Sequence, residues 1–191
     1  MWYNTQRTGK PAERKAFLME ISAERAALTK KNTEILISML EHQHLKYTAE
    51  EQSDARTHIR ISFTGNDLPM TLHLILRADR QIVSVLSAMP FKMSTERMHD
   101  AAVAVIAANH GLIDGSFDLN MQTGEIFFRL TTAYHGTTLT EELFSYLMYV
   151  SAETIDRFND RFMDLNDGKL DLAGFLEADA ADERPRRGTG V

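Results

Sequence analysis

Residues 56–76 read RTHIRISFTGNDLPMTLHLIL, and this stretch decides the fold. Ile59, Ile61 and Phe63 alternate with His58, Arg60 and Ser62, the period of a half-buried β-strand. Gly65-Asn66 suits a two-residue hairpin turn, because glycine accepts the positive φ of a type II′ turn. That turn predicts Ile59 opposite Leu72, Ile61 opposite Met70 and Phe63 opposite Leu68, all apolar on one face. Pro69 then faces Ser62 and cannot donate to a ladder, so an edge or open end is expected there. A second hairpin through Arg77-Ala78-Asp79-Arg80 pairs Leu76 with Ile82, Leu74 with Ser84 and Leu72 with Leu86. In that register Ile75 meets Val83 and His73 meets Val85 on the reverse face. The sheet centre is thus expected to be apolar on both sides, and Ile75, Val83 and Val85 become a candidate contact patch.

Working outward, Pro90 is expected to end the third strand and Ser94 to cap a helix running to His110. Its predicted inner face is Met98, Ala101, Ala102, Val105, Ile106 and Asn109, and Gly111 suits a left-handed stop. A third hairpin spans 117–132. Its four-residue loop, Gln122 to Glu125, pairs Met121 with Ile126, Leu119 with Phe128 and Phe117 with Leu130. Asp118 then meets Arg129. Thr138 and Glu141 have the spacing of a capping box for a long helix with the stripe Leu143, Phe144, Leu147, Met148, Ser151, Ile155, Phe158 and Phe162. Beyond Gly168 the pattern fades to one short turn at 170–176 and a disordered tail at 178–191. Upstream, 48–56 reads as a polar loop. Residues 12–30 and 33–43 carry helical stripes, joined or weakly broken at Lys30-Lys31-Asn32-Thr33.

The 191 residues hold no cysteine, which excludes a disulfide framework, a thiol nucleophile and cysteine-ligated metals. No apolar run approaches the ~18 residues of a membrane helix. The first ten residues lack the apolar core of a signal peptide, so a cytoplasmic protein is expected. Net charge is −6 and uneven: residues 1–140 carry 15 acidic and 15 basic side chains, whereas 141–183 carry 12 acidic and 3 basic. An acidic C-terminal third repels phosphates and disfavours nucleic acid. It would steer a basic partner.

Catalytic signatures are absent. There is no GxSxG elbow, no HExxH and no glycine-rich phosphate loop. His58 and His73, set opposite each other in the predicted register, lack a third ligand, and His42 and His44 lack helical metal spacing. Asp164-Leu165-Asn166-Asp167-Gly168 begins like a calcium loop, but with Gly168 at the sixth position the ligand positions fall on Met163, Leu165 and Gly174. Neither a metal, a cofactor nor a catalytic residue is expected. Tyr146 and Tyr149 project from the charged face of the last helix among Glu153, Asp156 and Asp160, a second candidate contact surface.

Two short stretches carry a resemblance. One is Asn109-His110-Gly111 followed by Gly115-Ser116-Phe117-Asp118-Leu119 and Thr123-Gly124-Glu125-Ile126-Phe127-Phe128-Arg129. The other is Leu139-Thr140-Glu141-Glu142-Leu143. With the element order they make residues 33–165 similar to the YbjN-type family, the bacterial sensory transduction regulators. The resemblance implies a fold like that of type III secretion chaperones: α+β, with helix, three strands, helix, two strands, helix around an antiparallel sheet. It implies frequent homodimers and no enzyme. The expected organisation is an N-terminal helical extension over 1–31, an α+β domain over 32–165 and an acidic tail over 166–191. The expected function is a non-enzymatic protein-binding module, chaperone-like or regulatory, forming a homodimer and taking a protein client of basic character. A dedicated secretion-type chaperone and a small-molecule sensor are the alternatives.

Overall fold

A computed structural model describes residues 21–64 and 68–183. Four helices and six strands follow in the order α1 (Ala23–His42), β1 (Tyr47–Gln52), β2 (Arg56–Thr64), β3 (Pro69–Arg77), β4 (Ile82–Lys92), α2 (Met98–His110), β5 (Ser116–Leu119), β6 (Glu125–Ala133), α3 (Glu141–Asp167) and α4 (Leu172–Glu183). A 3₁₀ turn, Thr95–Arg97, leads into α2. The strands form one antiparallel sheet ordered β1-β2-β3-β4-β6-β5. The α+β class and the N-terminal helix agree with the sequence reading.

Alternation sends Ile59, Ile61, Leu72, Leu74, Leu76, Val83, Val85, Phe128 and Leu130 to one face, where all are buried in a core shared with α1, α2 and α3. Burying a side chain of this size contributes about 1.5–3 kcal/mol, and this face supplies much of the driving force for folding. Phe117, Phe128, Phe158 and Phe162 form an aromatic cluster with ring centroids 5.3–6.1 Å apart, and Phe175 of α4 packs on Phe162 at 5.3 Å. Helix α1 is fastened by buried polar contacts. Thr29 Oγ1 and Tyr134 Oη lie 2.8 Å apart, as do the Thr33 and Thr57 hydroxyls. Asn32 accepts from the Leu139 N–H at 2.7 Å and donates to the Thr137 carbonyl at 3.3 Å.

Several expectations are corrected. The polar stretch at 48–56 contains an edge strand, β1, because its backbone pairs with β2 whatever its side chains. Ile59 pairs with Leu74, Ile61 with Leu72 and Phe63 with Met70, two residues from the expected register, so the facing is preserved. Pro69 faces Thr64 at the open end of that pair. At the next hairpin the shift is one residue, with Leu76 opposite Val83, Leu74 opposite Val85 and Ile75 opposite Ser84. A one-residue slip exchanges the faces of a whole strand. Gln81, at φ +51, occupies the turn and moves the pairing. Strand β4 runs past Pro90, which lies in a bulged segment where the ladder to β6 is interrupted between Ala88 and Lys92.

In the last hairpin Leu119 pairs with Ile126 and Phe117 with Phe128, again two residues off. Asp118 and Arg129 still form an ion pair at 2.9 Å along the diagonal. The loop turns on Gly124, at φ +72, where an added Cβ would come within 2.2 Å of the Met93 carbonyl oxygen. Thr140, not Thr138, caps α3, accepting from the Leu143 N–H at 3.2 Å. Glu141 instead accepts from Ser38 at 2.8 Å. Gly111 is right-handed, at φ −88. The boundary expected at 31/32 falls inside the single helix α1. Part of the expected tail, 172–183, is helix α4, held by the fully buried Phe175. The stripe expected before residue 21 and the tail beyond 183 lie outside the described residues.

Candidate interaction surfaces

The four helices leave the second face of the sheet uncovered among the described residues. Its residues follow from alternation: His58, Arg60 and Ser62 on β2; Thr71, His73 and Ile75 on β3; Ser84 and Leu86 on β4; Phe127, Arg129 and Thr131 on β6. Ile75, Leu86 and Phe127 are half-buried near its centre. Hydroxyl pairs flank them, Ser84–Thr131 at 2.9 Å and Ser62–Thr71 at 3.2 Å. Four ion pairs surround them: Arg60–Glu50 at 2.7 Å, Arg56–Glu51 at 3.0 Å, Arg77–Asp79 at 2.6 Å and Arg129–Asp118 at 2.9 Å. Each is partly exposed and worth at most about 1 kcal/mol, but together they hold the face close to neutral.

The expected patch of Ile75, Val83 and Val85 is not one surface. Val83 and Val85 are fully buried on the helix-covered side, and only Ile75 lies on the open face. Leu86 takes their place, a consequence of the one-residue slip at Gln81, and Phe127 of β6 lies on the same face.

His58 and His73 are diagonal neighbours rather than opposite partners, yet His58 Nε2 and His73 Nδ1 lie 2.8 Å apart. One ring must donate and the other accept, so the bond requires that at least one be neutral. Burial, and then the nearby Arg56 guanidinium, lowers the His58 pKa. Burial, and then the His58 charge, lowers that of His73. No group of three or more histidine or acidic side chains able to hold a metal occurs among the described residues.

The sheet edges differ. At β5, Asn109 of α2 behaves like a neighbouring strand: its Oδ1 accepts from the Phe117 N–H at 2.7 Å and its Nδ2 donates to the Phe117 carbonyl at 2.9 Å. This closes the edge to a further strand. The other edge, β1, is six residues long and bulged between Ala49 and Glu51, which also discourages strand addition.

On the opposite side of the molecule Tyr146 and Tyr149 stand on the outer face of α3, 48% and 56% exposed. Tyr146 donates to the Asp114 carboxylate, which raises its pKa. Tyr149 donates to Gln43 Oε1 at 3.0 Å. The two candidate surfaces are therefore separate, with the core between them.

The model of a family described as "Putative bacterial sensory transduction regulator", YbjN, matches residues 32–163. The chain belongs to the YbjN family. Among solved structures it is similar to that described as YbjN, "a putative transcription regulator from E. coli", at 12% identity and a TM-score of 0.49. The likeness covers 78% of this chain and 92% of that one. No curated protein matches. The YbjN span runs from the middle of α1 to near the end of α3, and so contains Ile75, Val83, Val85, Tyr146 and Tyr149 but leaves α4 outside. No helix of the described residues is long and apolar enough to cross a membrane.

Sequence reasoning missed Leu86 because its facing depends on register; Phe127 alternates with Phe128, so its facing was legible, but it was not drawn into the patch. Asn109 was assigned to the helix core, whereas the buried residues of α2 are Ala101, Ala104, Val105 and Ala108. A polar amide at a helix end one loop before a short strand is the signal that would have marked it.

Proposed function

We propose that this YbjN-family chain is a non-enzymatic, cytoplasmic regulatory module that works by binding proteins, and that its open sheet face pairs with a second copy. The sheet face left uncovered among the described residues carries this reading. Its extent is roughly 30 Å along the strands and 25 Å across, about 750 Å² per copy, close to the roughly 800 Å² per partner of a standard interface. Its chemistry is self-complementary: an apolar centre of Ile75 and Leu86 within ion pairs that already cancel their own charge. Two chains of net charge −6 repel each other over most of their surface, and a neutral face is where that repulsion is weakest. Binding is by face rather than by strand exchange, because Asn109 closes one edge and the bulge in β1 shortens the other.

Sedimentation equilibrium of the full chain and of an Ile75→Glu/Leu86→Glu variant tests the pairing. A dimeric wild type and a folded, monomeric variant are expected. A monomeric wild type overturns it, and a dimer formed only after removal of residues 1–20 would show that the chain covers its own face.

A further inference from the structure

Helix α2 buries alanines and Val105 against the sheet, and so turns its larger apolar residues outward. Ile106 is 71% exposed and Val103 43%. Helix α4, beyond the family span, packs beside α2 and adds Leu176, 38% exposed, to make a shallow groove of about 560 Å³. Val103, Ile106, Ala107 and His110 recur at helical spacing along one wall; Leu176, Asp179 and Ala180 form the other. An isoleucine this exposed beside two further apolar side chains leaves apolar surface in water that a partner would bury.

Charge selects the partner. Helix α4 carries Glu177, Asp179, Asp182 and Glu183 and no basic residue, a net of −4 on the element that builds one wall. A membrane surface or nucleic acid, both anionic, is repelled there. The walls are helices of 13 and 12 residues, about 20 Å long at 1.5 Å per residue, which matches three to four turns of a third helix.

We infer that the groove between α2 and α4 is a docking site for an amphipathic α-helix of a partner protein, its apolar stripe seated on Val103, Ile106 and Leu176 and its Lys/Arg flanks facing the acidic wall. This is the helix-in-groove mode of recognition. It lies away from the open sheet face, and so does not depend on pairing of two copies.

The test is fluorescence anisotropy of the full chain with two labelled 14-residue probes, an amphipathic Leu/Lys helix and its Leu/Glu counterpart, at about 0.15 M salt where surface attraction is screened beyond about 8 Å. The Leu/Lys probe is expected to bind and the Leu/Glu probe to fail. Ile106→Asp distinguishes groove from charge. Apolar docking predicts affinity weakened by about tenfold or more, whereas purely electrostatic attraction predicts tightening, since the change adds a negative charge. Because Ile106 is exposed the variant should fold, as circular dichroism would verify. Should it not, Ile106→Ser supplies the same comparison with no added charge, and is expected to weaken binding. Unchanged or tighter binding by the folded variant, equal binding of the two probes, or no binding of the Leu/Lys probe overturns the inference. Sedimentation of Ile106→Asp, expected to match wild type, keeps this outcome separate from that of the sheet face.

Discussion

Replacing Asn109 with alanine should destabilise the protein by about 2 kcal/mol, although alanine is the better helix former. The side chain makes two hydrogen bonds to the backbone of Phe117, at 2.7 and 2.9 Å, and Phe117 is only 1% exposed. Each bond contributes about 1 kcal/mol net, and leaving a buried N–H without a partner costs a further share of its desolvation. Together these give about 2.5 kcal/mol. Alanine recovers roughly 0.5 kcal/mol of helix propensity at the end of α2, which leaves about 2. Urea unfolding followed by circular dichroism measures this as a midpoint lowered by about 1 M for a slope near 2 kcal/mol per M. Asn109→Asp keeps the acceptor but turns a carboxylate oxygen toward the Phe117 carbonyl, so it too should be less stable than wild type. If Asn109 acted only as a helix residue, alanine would raise stability. A variant equal to or more stable than wild type would refute the edge-sealing argument.

Two further outcomes follow from the same structure. The lowered pKa values of His58 and His73 mean that the unfolded chain binds more protons than the native one, so their contribution to stability is fully present above about pH 6.5 and is lost as pH falls through the depressed native values. Urea midpoints at pH 8 and pH 5 should therefore diverge more for wild type than for His58→Gln/His73→Gln, in which the carboxylate titrations remain common to both; an equal loss in the two proteins would refute this. Phe175→Ala should cost about 3 kcal/mol by opening a cavity against Phe162, up to the whole docking energy of α4. A merely appended tail predicts no change in the urea midpoint.

Much of the architecture was legible in the chain before folding was considered. Period-two alternation in Ile59 to Phe63 and period-3.6 recurrence from Phe144 to Phe162 are local properties of sequence, and they located the sheet, the long helix and most of the core. The glycine-bearing stretches around Asn109 and Gly124 signalled the family because their spacing meets local backbone demands, such as the positive φ of Gly124 beside Met93. Register was less accessible. Hairpins missed by two residues kept every facing, but the one-residue slip at Gln81 exchanged Val83 and Val85 for Leu86 on the open face. A strand's pattern states which residues share a face. Which face meets the core is decided by the turn and by what packs there.

Composition and periodicity determined the fold class, the uneven charge and the lack of recognisable catalytic chemistry, since these need only residue types and their spacing. Tertiary structure alone decided where the surfaces lie. Helix α2 turned Ile106 outward because its alanines fit closer to β5. The tail became α4 because the aromatic cluster held room for Phe175. Strand β1 formed from a polar stretch because β2 presented an unpaired edge. Each outcome depends on residues distant in sequence competing for one core, which no window of the chain contains.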